Sequence, residues 1–168
     1  PGSPVTRHVG GSPANVAAGL ARLGHRTEFV TCVGDDADGQ DCRSTLAAAG
    51  VDVRPGRPTT APTSLAEASI DETGAATYRF DLHFDLDPAQ LGPGISHVHT
   101  GSIATTLAPG ADRVLETLRR GHDAATVSYD PNLRPSIMGE PAAVRERVDE
   151  ILALADVVKA SEDDIAWL

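Results

Sequence analysis

Four short stretches carry residues whose types and spacing suit the handling of a polar ligand. The first is Gly10-Gly11-Ser12-Pro13-Ala14-Asn15. Two residues without Cβ let a ligand lie against bare main chain, and Asn15 adds a donor and an acceptor suited to a molecule covered in hydroxyls. The second is Gly34-Asp35-Asp36, two acids directly after a predicted strand. Such a pair can bind a cation or cap the helix that follows, and capping is the simpler use. The third is Asp130-Pro131-Asn132-Leu133-Arg134-Pro135. Its prolines hold an extended turn that presents a carboxylate, an amide and a guanidinium together. Arg134 is suited to grip phosphate or carboxylate oxygens through two parallel bonds; the plainer alternative is a stiff loop with Arg134 paired at the surface. The fourth runs from Lys159 to Asp164, where Ser161 and Asp164 have the spacing of an approximate capping box.

His97 and His99 fall on one face of a predicted strand. A metal would need a third ligand at a sensible spacing and none follows, so a core or hydrogen-bonding role is expected. Neither a dinucleotide G-x-G-x-x-G nor a P-loop G-x-x-x-x-G-K-[ST] occurs, which removes the main support for those two classes.

The elements that must position these stations alternate. Helix is expected over 15–23, strand over 27–33, helix over 37–49 ending at Gly50, and a short strand over 51–53. A Pro/Thr-rich loop leads into an insertion, 64–71 and 75–82, joined by Glu72-Thr73-Gly74 as a hairpin turn. Tyr78, Phe80 and Leu82 alternate with Thr77, Arg79 and Asp81, so the hairpin has one apolar face that either covers a core or forms a lid. Strands at 97–100, 125–129 and 156–159 then alternate with helices at 111–120 and from Pro141. This order predicts βαβ units and a mostly parallel sheet, with ligands beyond the carboxyl ends of the strands. The loops after Gly34, His99, Tyr129 and Lys159 are expected to share that edge.

Composition narrows the classes. The chain has 168 residues, 40% hydrophobic and 23% charged, with no apolar run long enough to span a membrane. A net charge of −10 argues against nucleic acid and anionic membranes as partners, though not against a small anionic ligand met by a few local cations. Thirteen of the fourteen basic residues are arginine, leaving Lys159 as the one lysine. Cys32 and Cys42 lack metal-ligand neighbours and read as ordinary thiols of a cytoplasmic protein. The glycine turn calls for a strand before Pro1, and a helix begins just before Leu168, so a piece of a longer protein is expected.

Taken in order, the paired glycine, Pro13, Asn15, the small-residue helix to Gly24 and the strand ending at Gly34 resemble the first signature of the PfkB (ribokinase-like) carbohydrate kinases. The resemblance runs nearly end to end, and the DPNLRP run resembles the version found in fructokinases and ketodeoxygluconate kinases. It implies a ribokinase-like three-layer α/β sandwich with a small β lid inserted at about 60–86, residues 1–168 forming part of one kinase domain. It also implies transfer of the ATP γ-phosphoryl group to a sugar hydroxyl, with ATP and Mg²⁺, and a possible homodimer through the lid. On the sugar side it points to Gly10, Gly11, Asn15, Asp36, Arg79, Asn132 and Arg134; on the phosphate side, to Lys159 and Ser161. Family members commonly carry Asn-x-x-Glu, which helps order Mg²⁺, where this sequence has Ser161 and Asp164, so Asp164 inherits at most an indirect metal role. The family's catalytic aspartate lies in a Gly-Ala-Gly-Asp segment that residues 1–168 do not contain. The base is therefore expected beyond Leu168, and this stretch alone is expected to be inactive. Two other readings stand beside this one: a non-catalytic sugar-binding or regulatory module, and a kinase for ketodeoxygluconate or a nucleoside.

Overall fold

The computed structural model describes residues 5–70 and 76–168. The Glu72-Thr73-Gly74 turn lies outside them. The chain opens with helix α1 (Ser12–Arg22), three residues earlier than the periodicity suggests, because Pro13 fits a first helical turn that has no use for its N–H. Strand β1 (Thr27–Thr31), helix α2 (Ala37–Ala48) and strand β2 (Val51–Pro55) follow, with Asp36 capping α2. β1 and β2 are parallel, with Phe29 opposite Val53.

The insertion is an antiparallel pair, β3 (Leu65–Ile70) and β4 (Ala76–Asp81), with Glu67 opposite Arg79. The second half carries β5 (His97–Gly101), a 3₁₀ turn over Ser102–Thr105, α3 (Gly110–Gly121), β6 (Thr126–Asp130), a short helix α4 (Pro135–Met138), α5 (Pro141–Leu152), β7 (Val157–Val158) and α6 (Glu162–Trp167). β5, β6 and β7 form a parallel sheet in that order, with Val98 opposite Val127 and Tyr129 opposite Val158. The α/β class and parallel pairing are as expected. Among the described residues, however, the parallel strands lie in two sheets, β1-β2 and β5-β6-β7, rather than one.

Two cores match the two sheets. The larger gathers Leu115 and Leu118 of α3, Val127 and Tyr129 of β6, and Val144, Val148 and Ile151 of α5, with Leu133 and Met138. The α5 residues recur at i, i+4 and i+7, the stripe that faces one side of a helix. The smaller core holds only Ala14, Ala17, Leu46 and Val51. No helix among the described residues is long and apolar enough to cross a membrane.

Candidate functional site

The paired glycine is built as the sequence suggests. Gly11 is the residue before α1 and has φ +105°, a left-handed value that disfavours any side chain. Among the described residues nothing lies within 4 Å of where a Cβ would stand at Gly10 or Gly11, so the main chain there is open to a ligand. Both line a broad open hollow, a crevice that runs along β1, β3 and β5 and also takes in Asn132 and Arg134. Asn15 is exposed one turn into α1, and it borders a small hollow with Arg22 and Thr45 instead of that crevice.

At the carboxyl ends of β5 and β6 two loops interlock. The Ser102 N–H donates to Pro131 O (3.1 Å), and its hydroxyl reaches Asn132 O (3.4 Å). Gly101 is packed so closely that a Cβ would meet Asp130 O at 2.1 Å. Ser102 (φ +55°) and Asn132 (φ +38°) both hold left-handed backbone without being glycine. Such strain persists only where the surroundings over-determine it, and it concentrates at ligand sites. The Arg134 guanidinium folds over its own loop, donating from Nη1 to Asn132 Oδ1 (2.9 Å) and Leu133 O (2.7 Å). Asn132 and Arg134 are thereby presented together.

Asp164 supports this loop from beneath. It is buried, and its Oδ1 accepts the Leu133 N–H (2.7 Å) while Oδ2 accepts the Ser161 N–H (2.9 Å) and hydroxyl (2.6 Å). With the Asp164 N–H donating back to Ser161 Oγ, this is a complete capping box for α6. Burial alone would raise the Asp164 pKa, but the Ser161 and Leu133 bonds and the nearby Lys159 charge hold it below the ordinary carboxylate value. Oδ2 takes two protein donors and Oδ1 one, so the role the structure gives Asp164 is support of the loop. Ser161 is likewise occupied as the cap. Lys159 Nζ pairs with Asp130 Oδ2 at 3.1 Å and is itself largely exposed.

Asp36 and Arg79 are engaged elsewhere. Asp36 Oδ1 accepts from the Gly39 N–H (2.8 Å) and the Thr63 hydroxyl (2.6 Å), and Oδ2 accepts from the Thr63 N–H (2.8 Å). These bonds, those from Thr63 foremost, lower its pKa from 3.8 to about 2. Capping is therefore its local role. Arg79 pairs with Glu67 across the hairpin (3.0 Å) and does not border the crevice, whereas Phe80, Leu82 and Phe84 do.

The loops after β5, β6 and β7 thus come together, while the 34–39 turn is tied to residues 61–63. His97 Nε2 and His99 Nδ1 both bond Ser128 Oγ, at 2.7 and 2.9 Å, the hydrogen-bonding role expected of them. No group of three or more potential metal ligands occurs among the described residues. Thr63 and Ser102 escaped the sequence reading because each acts through partners about thirty positions away, beyond the reach of any local spacing.

Parallel strands with interlocked loops at the carboxyl ends of β5 and β6, and a bare glycine turn beside a broad hollow, place the chain among α/β proteins of the kind that take ligands beyond their strand ends. Its family is the pfkB family of carbohydrate kinases, to which the chain belongs over residues 2–168. It is 37% identical to a fructokinase of Klebsiella pneumoniae over 95% of this chain and 54% of that one. It superposes on the apo crystal structure of fructokinase from Vibrio cholerae O395 with a TM-score of 0.81 at 32% identity, over 95% of this chain and 57% of that chain. The Vibrio form bound to fructose, ADP and calcium ion gives 0.76 at 30% identity, over 94% and 54%. The chain spans about half the length of these relatives.

Proposed function

We propose that the protein phosphorylates a sugar, with fructose as the first candidate and ATP as donor. The observation that carries this reading is the open turn at Gly10-Gly11, which shares one crevice with Asn132 and Arg134 in a chain similar to a fructose- and ADP-bound fructokinase. Bare main chain at Gly10 and Gly11 and the Asn132 amide meet sugar hydroxyls, and Arg134 holds an oxygen of the substrate; Asn15, which borders a separate hollow, takes no part in these contacts. Lys159 and Ser161 lie on the phosphate side, and Asp164 holds the Arg134 loop in place.

In the reaction the sugar hydroxyl oxygen forms a bond to the γ-phosphorus as the bond to the bridging β–γ oxygen breaks, and ADP leaves. The hydroxyl proton passes to a base that residues 1–168 do not supply, so the reaction belongs to the whole protein. Such chemistry rests on positioning and charge stabilisation. Mg²⁺ bound with ATP would supply charge neutralisation at the phosphates, with Asp164 serving it at most indirectly. A cytoplasmic location and a homodimer through the lid belong to the same reading; β3 is exposed along its whole length, with Ile70 73% exposed.

ADP release by the full-length protein is the test, measured in parallel with fructose, ketodeoxygluconate, ribose and a nucleoside. Turnover greatest on fructose supports the proposal. Preference for ketodeoxygluconate would assign Arg134 to a substrate carboxylate. Sugar binding without ADP release would make this a binding module and overturn the kinase reading.

A further inference from the structure

The base of the hairpin is fastened more tightly than its strands. Thr63 lies two residues before β3 and crosses to the turn between β1 and α2. Its hydroxyl donates to Asp36 Oδ1 (2.6 Å) and accepts the Gly34 N–H (2.9 Å), and its own N–H donates to Asp36 Oδ2 (2.8 Å). The two segments touch main chain to main chain. A Cβ on Gly34 would lie 2.8 Å from Ala61 O and Thr63 N, and one on Gly39 would lie 2.8 Å from Thr63 Oγ1.

The next residue binds the hairpin's two legs to each other. Ser64 Oγ donates to His83 O and accepts the His83 N–H, each at 2.8 Å. The second leg is then held against α3: Phe84 O accepts the Gly110 N–H (3.1 Å), and the Phe84 ring fills the space a Cβ on Gly110 would need. Above these ties β3 is exposed throughout, as are Thr77, Tyr78 and Arg79 of β4. A two-stranded ribbon with so little packing cannot fix its own orientation. Where Phe80 and Leu82 stand along the crevice is therefore decided at the base.

We infer that Thr63, acting with Asp36, is a positioning residue for the sugar site: the Asp36–Thr63 clamp sets the hairpin's apolar side over the crevice holding Gly10, Gly11, Asn132 and Arg134. This rests on the sugar-kinase reading. Asp36 then serves the sugar through the hairpin, which reconciles its place in the 34–39 turn with a carboxylate wholly engaged by protein donors.

Fructose and ATP kinetics of full-length Thr63→Val and Thr63→Ser provide the test. Valine keeps the shape and the backbone N–H bond while removing both hydroxyl bonds; serine restores them. Thr63→Val is expected to raise the fructose KM about tenfold and leave the ATP KM within about twofold, because the misplaced group faces only the sugar. Thr63→Ser should return the fructose KM to the parent value. Val148→Ala, in the larger core and away from the crevice, is the control for lost stability; it should lower Tm without moving the fructose KM. If Thr63→Val does not fold, Thr63→Ala, which removes the same two hydroxyl bonds without adding a methyl group, carries the test with the same expected rise, and an unchanged fructose KM there overturns the clamp.

An unchanged fructose KM in an active Thr63→Val enzyme, equal rises in both KM values, or no rescue by serine would overturn the clamp and leave the kinase reading intact. Absence of sugar phosphorylation in the parent protein would overturn that reading, and the clamp with it.

Discussion

Two helical glycines should respond to the same substitution with opposite signs. Glycine inside a helix normally costs about 0.5–1 kcal/mol relative to alanine, so alanine should stabilise. Gly19, in α1, meets nothing within 4 Å of a built Cβ, and Gly19→Ala should stabilise by about that amount. Gly39, in the first turn of α2, is different: a Cβ there would sit 2.1 Å from Gly34 O and 2.8 Å from Thr63 Oγ1. Relieving the first contact means moving the turn by about 1 Å. That shift disrupts the Gly39 N–H bond to Asp36, a cap worth about 1 kcal/mol. It also disrupts the bond from the Thr63 hydroxyl to the charged Asp36, worth about 1.5–3 kcal/mol. Subtracting the roughly 1 kcal/mol of helix propensity leaves a net loss of about 1.5–3 kcal/mol. For a chain of this size that is a fall in Tm of roughly 3–12 °C, against a rise of roughly 1–4 °C for Gly19→Ala. Thermal and urea unfolding followed by far-UV circular dichroism measures both. A Gly39→Ala protein as stable as the parent, or more so, would refute the claim that the β1–α2 turn and residues 61–63 are packed without slack.

Asp36 should also leave a mark in acid. Its folded pKa of about 2 lies below the ordinary 3.8, so its contribution is full above pH 4 and is lost as pH falls from about 4 to about 2. The Asp36→Asn protein should show a shallower loss of urea midpoint over that window, and an unchanged slope would remove Asp36 from the account. Asp164→Ala removes a cap and strands the buried Leu133 N–H, for an expected loss of about 2–4 kcal/mol in urea unfolding; a loss under about 0.5 kcal/mol would show that the loop stands without it. Arg134 is exposed, so Arg134→Ala should leave stability within about 0.5 kcal/mol. In the full-length protein it should lower kcat/KM for sugar at least about tenfold, and an unaltered value would take Arg134 out of the site.

The α/β alternation was legible because its signals are local. Gly50 closes α2, Pro141 opens α5, and the 3.6-residue recurrence of Val144, Val148 and Ile151 marks one helix face. The four-residue helix α4 and the 3₁₀ turn are too short to show a period. Alternation put Tyr78, Phe80 and Leu82 on one hairpin face; Phe80 and Leu82 border the crevice, while Tyr78 stacks on Phe80 at 6.0 Å between ring centres and remains 59% exposed. At the site, the glycine turn and the Asn132–Arg134 loop were readable from residue type. What the carboxylates do was not, because the sequence does not say whether an acid faces a ligand or a distant backbone N–H. Asp36 and Asp164 turned out to hold loops, and Thr63 came into view only through its contact with Asp36.

The two cores give the crevice walls of unequal stiffness. The wall carrying the glycine turn is backed by two alanines, one leucine and one valine, and the opposite wall by nine buried residues that include a tyrosine and a methionine. Deeply buried Leu and Val side chains contribute about 1.5–3 kcal/mol each, and alanine far less. The α1–α2 wall therefore opens first in any sub-global fluctuation, and its amides exchange with solvent at a lower free-energy cost than those of β6 and α5. A molecule that binds across the crevice ties the soft wall to the hard one, and the cost of that opening rises with its free concentration L as RT ln(1 + L/Kd).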